Sequence, residues 1–342
     1  MAFESPVASP KPSDDVQIAY TCHISTKVER IKDQLDALRI PTFNCPWPEA
    51  CSPYAAQVEA HMLNWADEFS LFPNEQYRKR AARDAQQPNS HDRRPHFNTA
   101  RPNPVFGELA WLDVCRRLRH LLQVESFSRF ANGMRKWAST AGLQILLHLG
   151  DESTVGLRPY QTIRAHTSGM VPCIALADTA NCGAVPAGEF HSTDVQALCR
   201  LASNAVCWSN DIQSLNIEAH QPGQFRNTVV IRAFEGYTLQ ESVDYTASRV
   251  RAEIAQFVKL SAVVSQHATP KLRGFIDGLG FWIKGYQDWV KKDTLRYAPA
   301  FADVDADDCV HILAEGKADV SASLLASDST VVFCVTVGAL CY

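Results

Sequence analysis

The sequence predicts an all-α fold, and three observations support this prediction. Apolar residues recur every three or four positions over most of the chain between residues 55 and 296. Runs with the alternation or β-branched composition of strands are almost absent before residue 328. Hydrophobic residues make up 46% of the 342 positions, which is enough for a large core. Helices with such apolar faces must pack around one another.

Local signals place the individual helices. The first starts at Ser52-Pro53, which puts a proline in its first turn, and its apolar pattern continues to about Phe72. The long amphipathic helix over residues 194–218 follows Ser192-Thr193, which are good capping residues. Apolar periodicity predicts the remaining helices over residues 105–122, 127–149, 158–176, 239–264 and 275–296.

Three segments depart from the helical pattern. Residues 1–44 hold little periodicity and are expected to be poorly ordered. Residues 84–104 are polar, carry four prolines and have no periodicity, so they predict a loop of unusual length. Residues 301–342 form an atypical acidic tail that ends in an apolar run too short to span a bilayer. A single helical domain is therefore expected over residues 45–300.

Composition and charge exclude several classes of protein. The net charge of −4 argues against a basic surface for nucleic acid. No run reaches the roughly eighteen apolar residues that a membrane helix needs, and the N-terminus lacks the apolar stretch of a secretory signal. The 11 cysteines are odd in number, scattered along the chain and without a CxxC pair. This usage is typical of free core cysteines in a reducing compartment. We therefore expect a cytoplasmic protein without a membrane span or a nucleic-acid partner.

One stripe of polar residues is a candidate metal-binding site. Asn210, Ser214 and Glu218 are spaced i, i+4 and i+8, so on a helix their side chains form one slowly drifting stripe. They offer an amide oxygen, a hydroxyl and a carboxylate, which are hard oxygen ligands that together suit one Mg²⁺. The solvated face of a surface helix has the same spacing, so the spacing alone leaves both interpretations open.

The residues around this stripe resemble a known family. The pattern Asn210-Asp-x-x-Ser214-x-x-x-Glu218 resembles the metal-binding triad of class I terpene synthases. Arg164, which lies 46 residues upstream of Asn210, is similar to the arginine with which this family senses the pyrophosphate group. The resemblance extends over about residues 45–297.

A second similarity lies just after Arg164. Gly169 and Pro172 interrupt the predicted helix there, and the segment resembles the broken helix whose bend faces the substrate in this family. By that resemblance Thr167 is the linker, and Ser168 is the effector whose backbone carbonyl points at the allylic carbon.

A third similarity lies near the end of the helical region. Arg296-Tyr297 resembles the family's arginine–tyrosine pair, and together with Arg164 it would bind a diphosphate from two sides. Trp289 precedes this pair and is a candidate substrate-binding residue. Aromatic faces stabilise a cation by roughly 0.5–2 kcal/mol each. Plain core packing is the alternative role for Trp289 and for three further candidates, Trp208, Trp282 and Tyr160.

The resemblance implies a fold, a reaction and a cofactor. The fold is the class I terpenoid synthase arrangement of helices around a central apolar cavity. The reaction is that of a terpene cyclase, a carbon–oxygen lyase that ionises a prenyl diphosphate with up to three Mg²⁺ ions. We expect farnesyl diphosphate as the substrate and a sesquiterpene as the product. Catalytic roles are implied for Arg164, Thr167, Ser168, Arg296 and Tyr297.

The family's other metal-binding motif has no counterpart in the sequence. No DDxxD or close variant is present, and segment 84–104 stands where the family has the helix that carries it. Asp67 and Glu68 are adjacent, so they point about 100° apart on a helix and are interpreted as a solvated face. Three explanations stay open: a gene model that lost a helix-coding stretch, a decayed cyclase, or substitution by another acid such as Asp84 or Asp92.

Two alternative functions also stay open. A catalytically impaired relative would at most bind prenyl diphosphates, through Arg164 and Arg296. A chain-elongating prenyltransferase would use two aspartate-rich motifs, and the sequence contains neither.

Overall fold

The predicted all-α class is confirmed by a computed structural model, which describes residues 29–49, 55–69, 71, 108–149, 156–181, 183–220 and 227–292. All regular structure within these ranges is helical. None of these helices is long and apolar enough to cross a membrane. Residues 29–35 are helical. The helices that follow, in chain order, are α1 (Ala55–Glu68), α2 (Glu108–Leu121), α3 (Val124–Leu149), α4 (Leu157–Thr167), α5 (Met170–Asn181), α6 (Ala187–Phe190), α7 (Thr193–Gln213), α8 (Leu215–His220), α9 (Thr228–Phe234), α10 (Leu239–Val264) and α11 (Pro270–Lys292).

The ends of the long helices follow from their capping residues. Ser192 caps α7 as predicted, because its side chain accepts a hydrogen bond from the Val195 N–H. Helix α10 starts with a capping box, in which Thr238 and Glu241 satisfy each other's backbone N–H groups. Helices α6 and α9 were not predicted, because 4 and 7 residues give too little periodicity to detect.

The predicted break between α4 and α5 is also confirmed. Gly169 adopts a φ of 71°, in the left-handed region that glycine tolerates best. Pro172 lies in the first turn of α5, where its lack of an N–H costs no helical hydrogen bond. The chain therefore changes direction two residues after Thr167.

Helix α7 lies at the centre of the larger of two hydrophobic clusters. It packs along α10 and α11 and also contacts α4 and α9. The smaller cluster is formed by α1, α2, α3 and part of α5. Trp282 of α11 packs against both clusters and so joins them. The polar C-terminal end of α7 is thereby held among four other helices.

Residues 29–44, the described part of the predicted N-terminal segment, contact the helical core. Ile31 and Phe43 are buried in the larger cluster. The Arg39 N–H donates to Gln240 Oε1 at 3.0 Å, and Gln34 Oε1 accepts from the Leu239 N–H at the start of α10. Two buried side chains and these hydrogen bonds fix the segment, although it is too short to show periodicity in the sequence. Segments 84–104 and 301–342 lie outside the described residues.

The same N-terminal segment ends against α11. The Trp47 ring packs edge-on to Phe257, with ring centroids 5.5 Å apart. A Cβ atom on Gly280 would lie 2.2 Å from Trp47 Nε1, so the indole occupies the space that any larger residue would need.

Replacing Gly280 with alanine is expected to lower the free energy of unfolding by about 1–3 kcal/mol, because Trp47 must move out of a packed site. Urea denaturation would measure this change. Gly142→Ala in α3 is the matched control, since no atom lies within 4 Å of its added Cβ. The control should be neutral or stabilising by up to about 1 kcal/mol. Equal effects of the two substitutions would contradict the packing argument.

Candidate functional site

The predicted metal stripe spans the junction of α7 and α8. Although the two helices are separated at Ser214, its N–H donates to the Asn210 carbonyl at 2.8 Å, and the Glu218 N–H donates to the Ser214 carbonyl at 2.9 Å. The helical spacing therefore continues through the junction. Ser214 Oγ lies 2.8 Å from Glu218 Oε1 and 2.7 Å from the Asn210 carbonyl oxygen.

The Glu218 carboxylate is held by two neighbours. Ser214 Oγ donates to Oε1, and Asn227 Nδ2 donates to Oε2 at 2.9 Å. Burial raises the pKa of Glu218, and the negative charge of Asp211 acts in the same direction, while Arg164 opposes it. When ionised, the carboxylate is a charged oxygen donor, which is the kind of ligand that Mg²⁺ takes. Together with the amide and hydroxyl oxygens nearby, it forms a donor set that fits Mg²⁺.

Arg164 joins this stripe directly. It lies in the last turn of α4, and its Nη2 donates to Asn210 Oδ1 at 2.6 Å. Its Nε donates to Asp211 Oδ1 at 3.1 Å. The structure thus brings together the predicted arginine and the predicted metal ligands, which lie 46 residues apart in sequence. These two contacts use two of the five N–H donors of the guanidinium group.

The orientation of the Asn210 amide follows from its partners. Arg164 can only donate hydrogen bonds, so the atom that faces it must be the amide oxygen. The amide nitrogen then donates to the Tyr286 hydroxyl on α11, at 3.2 Å. The hydrogen bond to Tyr286 therefore holds the Asn210 amide with its oxygen facing Arg164. Sequence analysis could not predict this role, because Tyr286 is one of several aromatic residues on an amphipathic helix.

Asp211 is the residue of the candidate site that the sequence analysis missed. Its side chain is fully buried and accepts hydrogen bonds from the Tyr160 hydroxyl, Arg164 Nε and the Thr228 N–H, at 3.1, 3.1 and 2.9 Å. It thereby ties α4 and the start of α9 to α7. A charged side chain on the apolar side of α7, next to Ile212, was the available signal, because carboxylates are almost never fully buried unless paired.

Tyr160 has a different role from the aromatic contact considered in the sequence analysis. Its hydroxyl is buried and donates to Asp211. Burial and the adjacent Asp211 charge raise the pKa of Tyr160 well above its usual range. Tyr160 therefore stays a neutral hydrogen-bond donor to the carboxylate that holds Arg164.

The residues of the helix break lie close to α7. The Ser168 N–H donates to the Arg164 carbonyl at 3.1 Å, and Ser168 Oγ accepts from the Met170 N–H at 3.3 Å. Burial raises the pKa of the Cys207 thiol, while Arg164 and a hydrogen bond with Ser168 oppose this change. Since Cys207 lies one turn before Asn210 on α7, Ser168 is close to the candidate site. The roles of Thr167 and Ser168 stay predictions.

The other aromatic candidates occupy distinct positions. Trp289 is buried on α11, with its ring centroid 5.9 Å from that of Tyr286. Trp208 lies beneath the Arg249 guanidinium at 5.1 Å, so its ring already faces a cation on α10. A substrate-binding role stays a prediction for Trp289. Arg296 and Tyr297 lie outside the described residues.

The described part of the chain contains no group of three or more His, Cys, Asp or Glu side chains that could hold a metal ion. Asp67 and Glu68 are exposed at the end of α1, as predicted for a solvated face. Asp84 and Asp92 lie outside the described residues. Asn210, Ser214 and Glu218 bring three oxygen-bearing side chains together, and cation binding by this stripe stays a prediction.

Two curated relatives align along most of their length. A sesquiterpene synthase of Metarhizium brunneum is 50% identical over 324 residues, which cover 81% of this chain and 94% of the relative. A (+)-corvol ether B synthase/(+)-corvol ether A synthase ((2E,6E)-farnesyl diphosphate cyclizing) of Kitasatospora setae is 47% identical over 315 residues. That alignment covers 79% of this chain and 98% of the relative.

The alignment lengths show that some positions of the relatives have no counterpart in this chain. An alignment of 324 residues that includes only 81% of the 342 residues leaves about 47 positions without a counterpart, enough for two or three helices of ordinary length. The Kitasatospora alignment leaves about 45 positions in the same way.

Solved structures agree on the fold. α-Eudesmol synthase superposes with a TM-score of 0.61 at 19% identity, over 73% of this chain and 99% of that chain. Linalool/nerolidol synthase from Streptomyces clavuligerus gives 0.59 at 19% identity, over 73% and 100%. The model of terpene synthase family 2, C-terminal metal binding, matches residues 74–256, which is more than half of the sequence. Because this family model matches more than half of the sequence and the two relatives are 50% and 47% identical, the chain belongs to the terpene synthase family.

Proposed function

We propose that this protein is a sesquiterpene synthase that ionises farnesyl diphosphate with the help of Mg²⁺ and cyclises the resulting cation. The observation that supports the proposal is the hydrogen bond from Arg164 to Asn210, which joins the arginine proposed to bind phosphate to the stripe proposed to bind Mg²⁺. The Kitasatospora relative, whose name specifies cyclisation of farnesyl diphosphate, supports the choice of substrate.

The proposed chemistry begins with heterolysis of the bond between the allylic carbon and the diphosphate oxygen. The electron pair leaves with the diphosphate, and an alkene of the same chain then attacks the allylic cation. Mg²⁺ held by Asn210, Ser214 and Glu218 would supply Lewis-acid neutralisation of the leaving group. Arg164 would donate hydrogen bonds to the diphosphate oxygens, and Asp211 would hold the guanidinium in place while it does so.

The reaction requires no protein nucleophile, since the substrate carries its own leaving group. After ionisation, the protein must exclude water and surround the cation with apolar or aromatic side chains. Trp289 is the described aromatic residue that we propose for this contact, because it is buried and packs against Tyr286 next to Asn210. Roles for Arg296 and Tyr297 on the diphosphate remain part of the proposal.

A second candidate function is binding of prenyl diphosphates without turnover. The absence of a DDxxD motif from the sequence favours it, because that motif would supply the other metal ligands. Such a protein would keep Arg164 and the stripe, and it would hold the diphosphate without releasing it from the substrate.

One experiment separates the two candidates. The purified full chain is incubated with geranyl, farnesyl or geranylgeranyl diphosphate and Mg²⁺, and volatile products are analysed by gas chromatography and mass spectrometry. We expect a sesquiterpene from farnesyl diphosphate and no product after chelation of the metal. In parallel, calorimetry measures binding of a non-ionisable thio-analogue. Binding without product supports the second candidate, and absence of both contradicts both.

We also propose a cytoplasmic location. Cys199 and Cys207 are free thiols, and such residues are typical of proteins in a reducing compartment. Fractionation of the native host cells would test this, with the protein expected in the soluble cytoplasmic fraction.

A further inference from the structure

Both polar atoms of the Asn227 side-chain amide form hydrogen bonds. It immediately precedes α9 and is almost fully buried. Its Oδ1 accepts from the Val230 N–H at 2.8 Å and so caps α9. Its Nδ2 donates to Glu218 Oε2 at 2.9 Å. A single side chain therefore joins the start of one helix to a carboxylate of the predicted metal stripe.

The orientation of this amide is fixed by chemistry. The Val230 N–H can only donate, so the amide oxygen must face it. The amide nitrogen is then left to donate to the Glu218 carboxylate. Aspartate could also cap the helix, but it has no donor for the carboxylate. Serine or threonine could cap it as well, but a single hydroxyl oxygen cannot occupy the positions of both Oδ1 and Nδ2.

The hydrogen bond from Asn227 Nδ2 fixes the orientation of the Glu218 carboxylate. With Oε2 held by Asn227, Oε1 lies 2.8 Å from Ser214 Oγ, so two of the three predicted ligands are adjacent before any cation binds. The next residue, Thr228, donates its N–H to Asp211, the carboxylate that holds Arg164. Two consecutive residues at the start of α9 therefore hold two carboxylates. Asn227 holds Glu218 in the predicted metal stripe, and Thr228 holds Asp211 beside Arg164.

We propose that Asn227 is a positioning residue that orients Glu218 for binding of the divalent cation. This inference rests on the proposed function, because it assumes that the stripe binds a cation. Residues that hold metal ligands in place typically contribute 10- to 100-fold to metal affinity. Helix capping alone would contribute to stability and leave cation affinity unchanged, which makes the two roles separable.

The test uses Asn227→Ser and Asn227→Thr, which keep an oxygen acceptor for the cap but remove the amide donor. Binding of Mn²⁺ in the presence of inorganic diphosphate is followed by electron paramagnetic resonance. Each measurement is made at a temperature at which circular dichroism shows the variant to be folded. We expect both variants to bind Mn²⁺ about 10- to 100-fold more weakly than the wild type.

Thr238→Ala is the matched control, because it removes the cap of α10 without altering a contact to the stripe. It should lower the melting temperature and leave Mn²⁺ affinity unchanged. Wild-type Mn²⁺ affinity in both Asn227 variants would overturn the inference while leaving the proposed function intact. Equal Mn²⁺ binding by the wild type and Glu218→Gln would instead contradict the metal site itself, and the inference would be overturned with it.

Discussion

Replacing Asp211 with asparagine is expected to lower the free energy of unfolding by about 3 kcal/mol or more. The substitution keeps the shape of the side chain but removes the charge that compensates Arg164, in a position with no exposure to solvent. The Thr228 N–H and the Tyr160 hydroxyl would also exchange a carboxylate partner for a weaker neutral one. Urea denaturation of the wild type and the variant measures the loss.

Asp277→Asn provides the control for this prediction, since Asp277 is exposed on α11. Surface substitutions of this kind usually change stability by less than about 0.5 kcal/mol. If Asp211→Asn unfolds at the same urea concentration as the wild type, the buried pair does not stabilise the contact between α4 and α7. Diphosphate affinity should fall in Asp211→Asn as well, because the guanidinium would no longer be held in one orientation.

Replacing Glu218 with glutamine is expected to reduce kcat/KM by at least about 100-fold, because it removes the charged ligand of the proposed cation site. Stability should stay the same or increase, since burial already raises the pKa of Glu218 and the neutral side chain avoids that cost. Opposite effects on activity and stability are typical of a group retained for function. Steady-state kinetics and thermal unfolding measure the two quantities.

Glu235→Gln makes the same chemical change at an exposed position after α9, and it should leave both quantities near their wild-type values. Should the wild type bind the thio-analogue without turnover, Mg²⁺-dependent binding replaces kcat/KM as the measured quantity. A Glu218→Gln variant with wild-type kinetics, or with undiminished Mg²⁺-dependent binding, would contradict the assignment of the stripe.

Local sequence signals predicted the parts of the fold that depend on one helix at a time. Helix α10 has the bounds that its apolar periodicity predicted. The spacing of Asn210, Ser214 and Glu218 likewise predicted their shared side of the helix, because that spacing is a property of the helix alone. Their contact with Arg164 was expected only from the family resemblance.

The supporting residues could not be predicted in this way. Asp211, Asn227 and Tyr286 act through contacts between helices that are far apart in sequence, and periodicity carries no information about such partners. Asn227 precedes a helix of 7 residues, which is too short to be recognised, so its capping role was hidden as well. Sequence reasoning therefore found the candidate ligands but missed the residues that orient them.

The packing of Trp47 between Phe257 and α11 sets the minimum extent of the folding unit. The match to the family model begins at residue 74, yet residues 29–49 share the core with α10 and α11. A shortened chain that starts at residue 74 would expose the apolar surface that residues 29–49 cover. Any truncation intended for expression or crystallisation should therefore retain the chain from residue 29 onward.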